Sequence, residues 1–205
     1  MSIRTLLADD HGIVRMGLKS LLSTESDIEV VGEAKTGREA VSQALRLKPD
    51  VIVLDFVMPD LDGAAATCEI RKEDKRIRIL LLSSFATSND IQRALDAGAD
   101  GAVFKSTADE ELPTAIRTVF AGKRYISPSV RSQLSSDPPL PPMTDRQMEI
   151  LLSVTRGFSN EQIAQQMGIA RITVQSHLKV IFEKLGVANR TEAAAFAMRK
   201  QLLKI

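Results

Sequence analysis

Cysteine is nearly absent from this 205-residue chain: Cys68 stands alone. No disulfide can form within the chain, which suits a reducing compartment. Long apolar runs are missing too. None approaches the roughly 20 residues a helix needs to cross a bilayer, and the opening MSIRTLLADD is too short in apolar residues for a signal peptide. These absences point to a soluble, cytoplasmic protein with no membrane partner. An excess of one charge is also lacking, with Lys+Arg 27 against Asp+Glu 26. Apolar residues at 44% and charged residues at 26% describe an ordinary globular chain.

The charge balance hides an asymmetry. After position 142 there are nine basic and five acidic residues; up to it there are eighteen and twenty-one. An acidic front and a basic back predict two domains with different partners. Four of the eight prolines crowd into residues 138–142, within SSDPPLPP. Such a stretch favours extended polyproline geometry and a semi-rigid spacer. The expected organisation is a front domain over 1–121, a linker over 122–142 with a short helix near 127–134, and a back domain over 143–205.

The front domain is organised around VIVLDFVMPDLDG, residues 51–63. An apolar run from Val51 ends in the single carboxylate of Asp55, as in a strand buried on both faces. Further strands are expected over 3–8, 28–34, 77–82 and 102–104. Helices are expected over 12–22, 37–47, 64–72, 88–97 and 109–121, the last with Pro113 in its first turn. Five β-α repeats imply an α/β domain, a five-stranded doubly wound parallel sheet with helices on both faces. Its strands end in Asp9-Asp10, Asp55, Ser83 and Lys105, and the carboxyl edge of such a sheet is where sites are built. Carboxylates held close repel each other unless a cation joins them. Mg²⁺ is the natural choice, with oxygen ligands and retained waters. Together with the Lys105 ammonium it would stabilise a phosphoryl group passed to a carboxylate.

Residues 1 to about 121 resemble the receiver domain of bacterial two-component response regulators. The motifs that carry the likeness are LLADDH, VIVLDFVMPDLDG, LLLSS and AGADGAVFK, with Ser83 and Lys105 at the family's spacing. The resemblance implies a flavodoxin-like fold, Asp55 as phosphoacceptor and a partner histidine kinase. It implies Mg²⁺ held by Asp10, by Asp9 mainly through water, by Asp55 and by the Val57 backbone carbonyl. Ser83 becomes the switch hydroxyl and Lys105 the phosphate-contacting amine. One departure is Ala102, where the family usually carries an aromatic residue or histidine that turns inward on activation. Phe85 and Phe104 are the nearby aromatics, and both are expected to pack.

The back domain reads as four helices, the middle two joined through Gly168 as a helix-turn-helix. In the third helix, 171–185, Val174, Leu178, Ile181 and Leu185 form a core stripe. On the outer face Gln175, Ser176 and Lys179 are base-reading candidates, since Gln pairs with adenine and Lys reaches guanine. Arg171, Thr173, His177, Lys184 and Arg190 are then expected on phosphates. The run GFSNEQIAQQMGIARITVQSHLKVIFEKLGVANRTEAA is similar to the LuxR-type (NarL/FixJ-type) helix-turn-helix. Ala170 replaces a usual helix-starting Ser, and Gln175 a common Lys.

The expectation is a DNA-binding transcriptional regulator rather than an enzyme, switched by phosphorylation of Asp55 and active as a homodimer on double-stranded DNA. An aspartyl-phosphate hydrolase would need a second acid two residues after Asp55, where this chain has Val57. A receiver that controls DNA binding through protein contacts, without phosphorylation, is the alternative that Ala102 keeps open.

Overall fold

A computed structural model describes residues 2–84, 86–200 and 202; Phe85, expected to pack near the sheet edge, lies outside them. The chain divides into two compact units, Met1–Pro139 and Leu140–Ile205.

The first unit alternates strand and helix. In order come β1 (Ile3–Ala8), α1 (Gly12–Ser23), β2 (Ile28–Ala34), α2 (Gly37–Leu47), β3 (Val51–Asp55) and α3 (Gly63–Glu73). They are followed by β4 (Arg78–Ser83), α4 (Ser88–Asp96), β5 (Gly101–Phe104), α5 (Ala108–Phe120), β6 (Tyr125–Ile126) and α6 (Pro128–Ser136). The strands form one parallel sheet in the order β2-β1-β3-β4-β5-β6. The strand-helix repeat forces parallel pairing, because each helix carries the chain back over one face of the sheet.

Alternation along the strands divides the core in two. Leu6, Ile52, Leu54, Ile79, Leu81 and Ala102 face one layer, against α2, α3 and α4. Leu7, Val51, Val53, Leu80, Leu82 and Val103 face the other, against α1 and α5. The period of two along each strand produces this split. The first layer is rich in alanine, with Ala40, Ala44, Ala64, Ala66 and Ala94 buried, so those helices seat close to the sheet.

Two features depart from the expected pattern. The sheet has six strands, not five: Tyr125 and Ile126 pair in parallel with Gly101 and Ala102. The segment expected as linker is thus partly built into the first unit. Within it, α6 buries Val130 in the alanine-rich layer, with Ile126 and Leu134 packed against that layer. Pro113 also lies inside α5 rather than in its first turn. A short 3₁₀ turn at Lys105–Thr107 leads into the helix, so α5 begins at Ala108, earlier than its apolar pattern suggests.

The second unit contains α7 (Asp145–Thr155), α8 (Asn160–Met167), α9 (Arg171–Leu185) and α10 (Arg190–Arg199) around one core. Thr144 and Ser159 close capping boxes with Gln147 and Gln162, which fixes the starts of α7 and α8. Gly168 ends α8 at φ 63°, a left-handed geometry that glycine adopts without strain and that sets the turn into α9. Among the described residues no helix is long and apolar enough to cross a membrane.

Candidate functional site

The carboxyl edge of the sheet gathers Asp9, Asp10, Asp55, Ser83 and Lys105. β1 and β3 are neighbours, with Ala8 opposite Leu54, so Asp9 and Asp55 leave adjacent strand ends. β4 brings Ser83 to the same edge, and β5 pairs Phe104 with Ser83 before the chain reaches Lys105. Sequence position therefore fixes side-chain placement: each functional group is the last residue of a buried strand or lies within two residues after it.

Asp9 and Asp55 are almost wholly buried, at 1% and 3% exposure. Lys105 Nζ lies 2.6 Å from Asp9 Oδ2 and 2.8 Å from Asp55 Oδ2, joining the two carboxylates. Burial pushes the Asp55 carboxyl above the usual range, against the opposing pull of Lys105, and the Asp9 charge adds to the rise. For Lys105 burial favours the neutral amine, but the contacts with Asp55 and Asp9 outweigh it and hold the ammonium above its ordinary range. The backbone N–H of Val57 donates to Asp55, while the Val57 side chain points to solvent.

One carboxylate face remains open. Oxygens of Asp9, Asp10 and Asp55 and the His11 imidazole all lie within 4.8 Å of one another. Asp9 Oδ2 and Asp10 Oδ1 are buried without a hydrogen-bond partner. Both have a nitrogen close by, Lys105 for the first and His11 Nδ1 at 2.6 Å for the second. A carboxylate oxygen has more than one lone pair, so each can still take a cation beside that nitrogen. Three clustered carboxylates, two of them with a buried oxygen lacking a hydrogen-bond partner, fit a hard divalent cation, and oxygen donors of this kind suit Mg²⁺.

Two participants were not evident from the residues. His11 follows the acidic pair and its backbone N–H donates to Asp9 Oδ1 at 2.8 Å. Arg15, buried on α1, donates to the Asp9 carbonyl at 2.7 Å and pairs with Glu33. Its position one helical turn after His11 is the only signal the sequence carries. Gly63 at the start of α3 is a third constraint. A Cβ there would stand 2.7 Å from the Asp55 carbonyl oxygen, so only glycine lets the helix approach the strand end this closely.

Ser83 is buried, and its Oγ accepts from the Ala86 N–H at 2.9 Å. Ala102 is buried in the layer that also holds Val130 of α6, and Phe104 packs against that layer.

In the second unit the core stripe of α9 is Val174, Leu178, Ile181 and Leu185, all buried. Arg171, Gln175, Ser176 and Lys179 are exposed, and Thr173 and His177 partly so. They form one outward face that also carries Ile172 at 67% exposure. Arg171 reaches back to Glu161 of α8 at 2.7 Å. Lys184 and Arg190 stand apart from this group. Lys184 Nζ donates to the Pro142 carbonyl and to Gln147 Oε1, at 2.6 and 2.8 Å. Arg190 donates to the Phe158 carbonyl and to Asn160 Oδ1. Charge marked both as phosphate ligands; the partners that engage them come from distant segments that a local pattern does not reveal.

Two family models match the chain. Residues 5–117 match the response regulator receiver domain, and residues 141–197 match the bacterial regulatory proteins of the luxR family. The chain is 41% identical to the response regulator protein VraR of Staphylococcus aureus, over the whole length of both. Among solved structures it resembles the response regulator ChrA of a heme-sensing two-component system. There the identity is 37%, the TM-score 0.59, and the coverage 98% of this chain and 99% of that one. It also resembles RcsB in a complex with DNA, at 25% identity and TM-score 0.69, with 97% and 98% covered.

Proposed function

We propose, from the premise that this chain belongs to the two-component response regulators joining a receiver domain to a LuxR-type DNA-binding domain, that phosphorylation of Asp55 controls its binding to DNA. The observation that carries the reading is the buried Asp55 carboxylate, joined to Lys105 and gathered with oxygens of Asp9 and Asp10 within 4.8 Å.

A carboxylate oxygen of Asp55 attacks the phosphorus of a phosphohistidine on a partner kinase. The new O–P bond forms as the N–P bond breaks, and the imidazole departs with the electron pair. Asp9, Asp10, Asp55 and the Val57 carbonyl would hold Mg²⁺, which supplies charge neutralisation at the phosphoryl oxygens. Lys105 already sits 2.8 Å from the accepting carboxylate and contributes a fixed positive charge. Ser83 turns its hydroxyl toward a phosphoryl oxygen once one is present.

The outward face of α9 then engages the major groove of double-stranded DNA in a homodimer. Gln175, Ser176 and Lys179 read bases, and Arg171, Thr173 and His177 serve phosphates. Lys184 and Arg190 brace the domain instead. The work is done in the cytoplasm. Incubation with Mg²⁺ and a small phosphodonor, followed by intact mass, tests the first step: the wild type gains one phosphoryl group and Asp55→Ala gains none. Label retained by Asp55→Ala would overturn the assignment.

A further inference from the structure

The β4–α4 connection is held from two sides at a single residue, Ala86. The Ala86 N–H donates to Ser83 Oγ at 2.9 Å, and the Ala86 carbonyl accepts from Gln133 Nε2 of α6 at 2.9 Å. Around this residue α6 is part of the sheet's core. Val130 is 1% exposed in the layer that contains Ala86 and Ala102, with Ile126 and Leu134 against it. The Ser127 N–H donates to the Ala102 carbonyl at 3.0 Å, pinning the start of α6 to β5. Ser88 Oγ makes a longer contact, 3.5 Å, to the Gln133 carbonyl. Ala102, where a larger side chain is usual, thus lies in the layer that α6 closes.

We infer that Gln133 is a positioning residue that links the Ser83 hydroxyl to α6, so that the state of the phosphoacceptor edge is passed to the helix that precedes the second unit. The inference rests on the reading of Asp55 and Ser83 given above. When Ser83 turns toward a phosphoryl group, the Ala86 N–H loses its acceptor. The backbone of Ala86 is then free to change its φ and ψ, and that change swings its carbonyl away from Gln133. α6 loses a polar tether on the face it uses to cover β5, and the proline-rich segment after it carries the change onward. The relay needs no ring at position 102; the contact between Ala86 and Gln133 performs the coupling.

A double-mutant cycle in the full-length protein tests this without any phosphate. Amide hydrogen exchange of residues 130–136 is measured in wild type, Ser83→Ala, Gln133→Leu and the double variant, with far-UV circular dichroism to confirm folding. Each single change is expected to speed exchange about fivefold to tenfold, the effect of losing one hydrogen bond. The double variant is expected to be no faster than Gln133→Leu, because both changes break one chain of contacts. Multiplicative effects, or a Ser83→Ala protein with unchanged exchange in α6, would overturn the inference and leave Gln133 as a local staple. In the phosphorylated samples Gln133→Leu should gain the same mass as wild type yet lose the change in DNA affinity; an undiminished change counts against the relay. Absence of the mass gain in wild type would fall on the Asp55 assignment, and the cycle still decides the relay by itself.

Discussion

Replacing Lys105 with methionine removes the ammonium that joins Asp9 and Asp55. The substitution keeps most of the aliphatic stem and deletes the ammonium. At separations of 2.6 and 2.8 Å, each contact has a gross Coulomb energy of about 6 kcal/mol at an effective dielectric near 20. Desolvation of Lys105, whose side chain is 14% exposed, offsets most of that gain. Breaking such a buried arrangement costs about 3 kcal/mol, because two buried carboxylates are left without a counter-charge. The deficit depends on pH. Asp55 already sits above its ordinary range through burial, and loss of Lys105 raises it further. A carboxyl raised by folding favours the native state while protonated and disfavours it once ionised. The deficit is therefore largest at neutral pH and shrinks as pH falls through the raised Asp55 value. Urea unfolding of the first unit without Mg²⁺, in a pH series downward from neutral, measures it. Equal stability of variant and wild type at pH 7, or a deficit that does not shrink as pH falls, would refute the reasoning.

Four further outcomes can be checked. Ala170→Ser should stabilise the second unit by about 1 kcal/mol, since Ala170 has N-cap geometry at φ −71° and ψ 147° without a side-chain acceptor; thermal unfolding should show its transition about 4 to 8 °C higher. Gly63→Ala should lower both stability and the rate of phosphoryl uptake, because the added Cβ meets the Asp55 carbonyl; intact-mass time courses read the rate. Lys179→Ala should weaken DNA binding by about 1 to 3 kcal/mol at matched salt, as titration by fluorescence anisotropy would record. Arg190→Ala should destabilise the second unit by about 1 to 2 kcal/mol, through the lost bonds to Phe158 and Asn160. At temperatures where that variant is folded, its affinity for DNA should match the wild type.

Regions with a strong period were legible in the sequence nearly to the residue. β1, β2 and β3 occupy the expected ranges, as does α9 with its buried stripe. Their apolar spacing leaves one face, or both, with no other place to go. β6 escaped because Tyr125–Ile126 is two residues long between a charged pair and a Ser-Pro step. Its pairing depends on the exposed edge of β5, which only the assembled sheet supplies. The burial of α6 was hidden for a similar reason, as its anchors Val130 and Leu134 are too few to give a period. The acidic cluster could be read because each member ends a strand or follows closely after one. The unused oxygens of Asp9 and Asp10 and the bracing by Arg15 required the coordinates. Lys184 and Arg190 each have partners within their own domain that the local charge pattern does not reveal.

The central claim is that phosphoryl transfer to Asp55 governs DNA binding. Its most direct test phosphorylates the protein with Mg²⁺ and a phosphodonor, maps the modified residue by mass spectrometry, and titrates the same sample with double-stranded DNA. The account predicts one phosphoryl group, on Asp55, with a shift to dimer and tighter DNA binding that Asp55→Ala cannot show. A phosphoryl group on Asp55 with unchanged oligomeric state and unchanged DNA affinity would contradict it.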